Sequence, residues 1–257
     1  MFNKILITIY TISTLFFFNN CKKEEELPDS NPVSKKTEKD SVDKTAKQGS
    51  STKMDKIPAK TAKFIKEFGT ISLPDPRKDR GIPLMKALNN RKTSRKFSLQ
   101  QLPLQIISDL LWAASGINRP EGKMTAPTAA NSQEIEIYLA HEKGLFYYQR
   151  KDHSLKPVLE KDVRVETGKQ KFTDTAPLVL IYVGNYQKMD RPREKTEFYF
   201  ATDTGFVSQN VYLFCASENL ATVVIGWLDK EKLLEAMELD SKKYKVVLTQ
   251  PVGFPAK

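Results

Sequence analysis

The chain has 257 residues, a formal charge of +10, 40% hydrophobic and 28% charged residues, and only two cysteines. That apolar share supports one sizeable core and excludes a wholly disordered chain, and two cysteines exclude a disulfide scaffold. The basic surplus directs attention to anionic ligands or an acidic membrane surface; nucleic acid is disfavoured, because the lysines are scattered rather than striped and no DNA- or RNA-binding motif is present.

At the N-terminus, Lys4 precedes an apolar run from Ile5 to Phe18. It is shorter than the ~20 residues of a spanning helix and has the length of an export signal. Cys21 follows after Asn19-Asn20, ahead of Lys22-Lys23-Glu24-Glu25-Glu26, an arrangement similar to that of bacterial lipoproteins, in which the cysteine is acylated. Residues 1–21 are therefore expected to be a lipoprotein signal peptide with Cys21 as the lipidation site, which implies a membrane-anchored protein of the bacterial cell envelope. The alternative is a secreted chain with an incidental cysteine. Residues 22–60 are Lys, Glu, Asp, Ser and Thr with few aliphatic side chains and no aromatic ring, too little apolar surface to offset chain entropy, and are expected to form a disordered tether. Its charges nearly balance, so most of the +10 belongs to residues 61–257. With Cys21 lipidated, Cys215 has no partner; its apolar surroundings make it a small core residue, with a redox-active thiol as the lesser alternative.

In residues 61–257, Leu73-Pro74-Asp75-Pro76 is an extended lead-in. Leu84 to Leu88 reads as a short helix. Pro103 suits the first turn of another, Ile106, Ile107, Leu110, Leu111 and Ala114 keep one apolar face, and Gly116 suits a C′ stop. Residues 118–130 read as loop. Glu134 to Ala140 alternates with period two and, through Gly144, enters a hairpin with Leu145 to Tyr148. Leu178 to Val183 is apolar throughout, as in a strand buried on both faces. Ala201 to Leu220 reads as the longest helix, starting near Thr202 or Asp203. Val223 to Gly226 reads as a strand, Asp229 to Met237 as a helix and Tyr244 to Gln250 as the last strand. The irregular alternation indicates an α+β fold, a mixed sheet sandwiched by helices.

Arg91-Lys92-Thr93-Ser94-Arg95-Lys96-Phe97 places four cations and two hydroxyls within one turn ahead of a helix. Charge-assisted hydrogen bonds from such groups hold phosphates; taken alone, the stretch reads better as a solvated basic loop, because basic runs are common and usually wet. Together with the runs LLWAASGINRP, APTAANSQEIEIYLA and LATVVIGWLD, in that order and spacing, it resembles the nitroreductase family of FMN oxidoreductases over roughly Leu73 to Pro255. The segments LPDP and PVGFP resemble the azoline-oxidising dehydrogenases within that family. The resemblance implies a dimeric nitroreductase-like fold with FMN as cofactor. It implies that Arg91, Lys92, Thr93 and Arg95 hold the FMN phosphate and ribityl chain, with Arg95 nearest the ring. It implies that Pro127, Thr128, Ala129 and Asn131 contact the flavin of the partner subunit, and that backbone N–H groups at Ile225 and Gly226 approach flavin N5. Lys257, at a position where the family can supply a last cation, stands outside this set.

Other chemistry lacks its residues. The two histidines, His141 and His153, belong to no zinc-ligand spacing and are expected at the surface or in hairpins, and no nucleophile elbow, dinucleotide fingerprint or Walker loop is present. No catalytic side chain is required where flavin carries the redox step. The resemblance implies a homodimer passing hydride through N5 between a nicotinamide or other small-molecule donor and an acceptor such as a quinone or nitroaromatic. Two alternatives remain at this point: a lipid-anchored scaffold that keeps the fold without turnover, and a basic module binding membranes or polyanions.

Overall fold

The computed structural model describes residues 63–256. The signal peptide, Cys21, the tether and Lys257 lie outside the described residues. A seven-stranded sheet runs in the order β1-β4-β3-β2-β5-β7-β6, with β1 at Ile71–Ser72, β2 at Ile135–His141, β3 at Gly144–Gln149, β4 at Ser154–Leu159, β5 at Leu178–Asn185, β6 at Ala221–Thr222 and β7 at Tyr244–Gly253. Each of its pairings is antiparallel, where a mixed sheet was expected. The reason is topological. Strands β5 and β6 run the same way, as a crossover helix between them requires, but β7 inserts between the two and pairs antiparallel with both.

Helices cover both faces, so the predicted α+β sandwich holds. On one face lie α2 (Leu104–Ser115) and α4 (Arg193–Ser217), whose Ile107, Leu111, Phe200 and Val207 pack on Ile135, Ile137, Leu180 and Tyr182. Those strand positions alternate with Tyr138, Ala140, Val179 and Ile181, which face Leu233, Leu234 and Met237 at and beyond α5 (Lys230–Ala236). The short helices α1 (Leu84–Asn90) and α3 (Phe172–Thr175) complete the set, α1 packing on α4. Strand β2, whose alternation suggested one wet face, is buried along its whole length. Its Glu136 is paired there by Lys188 Nζ at 2.9 Å and Asn185 Nδ2 at 3.0 Å, which makes its burial tolerable.

The boundaries of α2 fall where Pro103 and Gly116 place them, yet Gly116 is extended (φ −69°, ψ 156°) rather than left-handed. Glycine is needed for room, since a Cβ would collide with Trp112. Gly144, by contrast, opens β3 at φ +136°, a turn conformation that suits glycine. Helix α4 begins eight residues before the expected start, immediately after Pro192, because its first turns are charged and carry no apolar period. Asp203 is therefore interior to the helix. Of Val223 to Gly226, predicted as a strand, only Ile225 is paired, in a single bridge to Thr249. Cys215 is a buried core residue on α4. Both histidines lie at hairpins, but His141 is only 1% exposed, a correction to the surface expectation; Gln101 Oε1 at 2.7 Å satisfies its Nε2 and makes the burial possible.

Candidate functional site

The basic turn is a fixed piece of backbone. Arg91 closes α1 through its N–H to the Ala87 carbonyl at 2.9 Å, and Ser94 N–H donates to the Thr222 carbonyl of β6 at 2.9 Å. Phe97 bridges Pro255, and Ser98 N–H donates to the Phe254 carbonyl at 2.8 Å, so the PVGFP segment closes the far end of the turn. Lys92, Thr93, Arg95 and Lys96 are left exposed and Arg91 half-buried. Among the described residues none of these four cations has an ion-pair partner. Their charge is therefore available to a ligand.

Tyr212 of α4 joins this turn to the segment 224–226. Its hydroxyl lies 3.2 Å from Thr93 Oγ1 and accepts the Val224 N–H at 3.0 Å, while the Arg91 guanidinium sits 5.4 Å from its ring centroid. A phenol oxygen can accept one hydrogen bond and donate another, so a single side chain serves both halves of the site. The sequence reading missed it, because its position in a helix with apolar residues on several sides reads only as burial.

Ile225 and Gly226 are not equivalent. The Ile225 N–H donates to Thr249 O at 2.8 Å and its carbonyl accepts the Thr249 N–H at 3.1 Å, so its main chain is fully engaged and its side chain is buried. With Val224 N–H held by Tyr212, the Gly226 N–H is the one of the three without a partner among the described residues. A Cβ at Gly226 would meet nothing nearer than Leu248 Cδ2 at 3.5 Å, so the side of the residue where a side chain would stand is uncrowded.

The loop from Pro127 to Gln133 docks elsewhere on α4. Ala129 N–H donates to Asp203 Oδ2 at 2.8 Å, Gln133 N–H to Thr128 Oγ1 at 3.0 Å, and the Gln133 side-chain amide to the Gly122 carbonyl at 2.9 Å. These bonds hold Ala130, Asn131 and Gln133 in left-handed conformations, with φ of 53°, 55° and 52°. Pro127 and Asn131 are exposed. Asp203 and Tyr212 are nine residues apart, about 14 Å along the axis and half a turn out of phase. One chain thus does not bring its own loop to its own basic turn through α4. Behind the loop, burial pushes the Glu134 carboxyl up to about 7, assisted by the facing Asp203 carboxylate.

A cavity of ≈ 460 Å³ between α1, α2 and α4 includes Arg80, Leu84, Trp112 and Leu213 in its wall, and none of the predicted site residues. Its Arg77 is tied to Asp109 Oδ2 by two bonds of 2.9 and 2.6 Å. The hydrogen-bond geometry around Tyr212, not this cavity, marks the candidate site.

A model of the nitroreductase family matches residues 88–254, a span that contains the basic turn, the 127–133 loop and Gly226. The chain belongs to the nitroreductase family. It is 32% identical over 194 residues to a Methanocaldococcus jannaschii protein assigned as a nitroreductase, covering 71% of this chain and 95% of that one. A crystal structure from Ralstonia eutropha with the same assignment superposes with a TM-score of 0.70 at 36% identity, over 76% of this chain and 99% of the other. A Desulfovibrio desulfuricans protein of the same assignment, crystallised in complex with FMN, shares the fold at a TM-score of 0.52 and 17% identity, over 69% and 89% of the two chains. In this nitroreductase-family oxidoreductase, Tyr212 and the Gly226 N–H lie within the matched span.

Proposed function

We propose that this oxidoreductase is an FMN-dependent, membrane-anchored homodimer that transfers hydride between a nicotinamide donor and a small oxidant such as a quinone or nitroaromatic. The observation that carries the reading is the Tyr212 bridge, which joins a turn whose cations have no ion pair among the described residues to the Val224 N–H, two residues before the unpartnered Gly226 N–H. These residues suit FMN. Arg91, Lys92 and the Thr93 hydroxyl would hold the phosphate and ribityl chain through charge-assisted hydrogen bonds, and the permanent cation of Arg95 would favour the negative charge that reduction brings to the ring. Bound FMN supplies the hydride chemistry, at N5. The main-chain N–H of Gly226 would donate at the reacting edge, a role assigned here to Gly226 rather than shared with Ile225.

The dimer is supported by exposed apolar side chains on two helices that pack together: Leu84 at 62% and Met85 at 75% exposure on α1, and Phe206 at 50% on α4. Exposed apolar surface of this kind marks association sites. The separate docking of the 127–133 loop supports its service to the flavin of a second copy. Anchoring rests on the sequence around Cys21. The segments that resemble azoline-oxidising enzymes have structural tasks here, since the Pro74 carbonyl accepts Ser108 Oγ at 2.5 Å and the Phe254 carbonyl accepts Ser98 N–H. Neither reverses the proposed direction of electron flow.

The test is FMN titration followed by quenching of flavin fluorescence, then anaerobic addition of NADH or NADPH and, last, of a quinone. Saturable binding, bleaching by the donor and recovery with the quinone are expected. A folded protein that takes up no FMN overturns the proposal and leaves the fold as a scaffold.

A further inference from the structure

Two buried carboxyls, Glu134 at the start of β2 and Asp203 inside α4, stand face to face behind the 127–133 loop, at 0% and 3% exposure. Their supply of hydrogens is short. Ala129 N–H donates to Asp203 Oδ2 at 2.8 Å and has no other acceptor. The Ser132 hydroxyl lies 2.6 Å from Glu134 Oε2, but also 2.8 Å from the Ala129 carbonyl, and it has one hydrogen for the two. The Thr202 hydroxyl is likewise divided between Asp203 Oδ1 at 3.3 Å and the Tyr199 carbonyl at 3.1 Å. Among the described residues Glu134 Oε1 is buried without a donor.

Among the described residues no cation makes up the deficit. Arg150 feels the Glu134 charge, but its guanidinium is spent on Ser115 Oγ and the Ile135 carbonyl without an ion pair to Glu134. Lys188 is paired with Glu136, its remaining reach going to the Gln133 carbonyl at 3.3 Å. Asp203, Arg150, Glu136 and Lys188 are thus the charged groups around Glu134, and none neutralises it.

We propose that Glu134 and Asp203 hold one proton between them and that this protonated pair is the latch that fixes the 127–133 loop to α4 in its left-handed conformation. A proton on Glu134 supplies the missing hydrogen, and its carboxyl then tolerates the Asp203 carboxylate that receives Ala129 N–H. Without it, two buried like charges repel, Asp203 withdraws from Ala129, and Ala130, Asn131 and Gln133 lose what holds them. The two carboxyls are positioning residues: they touch no substrate and act through the loop. Burial and the neighbouring carboxylate set the Glu134 carboxyl at about 7 against an ordinary 4.5, so the latch is closed in acid and opens as pH rises through neutrality.

The consequence for FMN rests on the proposed function; the latch itself does not, and two readouts separate them. Hydrogen exchange at the Ala129 amide, measured on the full chain in detergent without FMN and corrected for intrinsic rate, tests the latch. Protection should fall about tenfold per pH unit between about 4.5 and 7 and level off above that, as linkage to one proton requires. Glu134→Gln, which is neutral at every pH and carries donor hydrogens, should flatten that profile; Asp203→Asn, which removes the facing charge but leaves Glu134 buried and ionisable, should make the fall level off at lower pH and serves if the first variant does not fold. FMN titration over the same pH range should show affinity falling in parallel in the wild type and not in Glu134→Gln. Ala129 protection that is independent of pH, or that declines equally in both variants, overturns the latch. A pH-dependent Ala129 amide in a protein that binds no FMN at any pH upholds the latch and overturns the flavin reading instead.

Discussion

Tyr212→Phe removes one oxygen atom from the centre of the candidate site and leaves the ring beneath Arg91 in place. Two contacts are lost, the 3.0 Å bond from Val224 N–H and the 3.2 Å contact with Thr93 Oγ1. A net hydrogen bond contributes about 0.5–1.5 kcal/mol, and a donor left unpaired in partly buried surroundings costs about 1–3 kcal/mol. The two sites of loss are both at the surface side of α4, where water can replace part of the bonding, so a total near 2 kcal/mol, on the order of the lower half of those ranges, is expected. If most of it falls on ligand binding, FMN affinity weakens about tenfold or somewhat more, since about 1.4 kcal/mol is a factor of ten. The remainder appears as a fall of a few degrees in Tm. Tyr212→Ala should be worse by about 0.5–1 kcal/mol, because it also removes the ring face under the Arg91 guanidinium. Fluorescence titration with FMN, run beside thermal unfolding of each apoprotein, separates the two effects. Unchanged FMN affinity and unchanged flavin reduction in Tyr212→Phe would refute the reasoning that this hydroxyl joins the two halves of the site.

Arg95→Ala should slow flavin reduction or weaken FMN binding with Tm unaltered, because the side chain is exposed and makes no ion pair among the described residues; identical stopped-flow traces would remove it from the site. His141 is held neutral by its surroundings: Lys143 N–H donates to Nδ1, so Nε2 carries the hydrogen that Gln101 Oε1 accepts, and burial lowers the ring from 6.5 to about 4. The stability this contributes is present above pH 6.5 and is lost, by up to about 3 kcal/mol, as pH falls towards 4. Glu134 acts in the opposite sense over an overlapping window, so the wild-type stability curve should be shallow there, and His141→Gln, measured by urea unfolding, should become more stable towards acid; a curve parallel to the wild type would contradict the assignment. Phe206→Lys should shift the protein to a monomer in sedimentation and lower FMN affinity, and a dimer of undiminished strength would move the interface elsewhere. Cys21→Ser should release the protein from membranes, whereas persistent membrane association would remove the lipid anchor from the account.

What could be read from the sequence follows how local the cause is. The ends of α2 were legible because Pro103 and Gly116 are local signals, although Gly116 acts through room for Trp112 and not through a left-handed turn. The first turns of α4 were not, since Arg193-Glu194-Lys195 is charged and only the preceding Pro192 marks the start. Strand β4 was missed for a related reason: Pro157 and Lys156 break a strand pattern, and the proline is accommodated opposite an irregularity in register at Leu145/Phe146. In the site, the basic turn was legible as a run of residue types. The difference between Ile225 and Gly226 was not, because it depends on which N–H is already taken by Thr249 and by Tyr212. Tyr212, Glu134 and Asp203 belong to the same class. Their roles come from contacts between residues far apart in the chain, and no local pattern carries that information.

Retention of FMN by the turn 91–95 and Gly226 is read from the visible absorption spectrum of the protein after incubation with FMN and desalting. A retained flavin band, bleached by a nicotinamide donor and diminished in Arg91→Ala, is expected. A colourless protein with the circular dichroism of a folded α+β chain would contradict it.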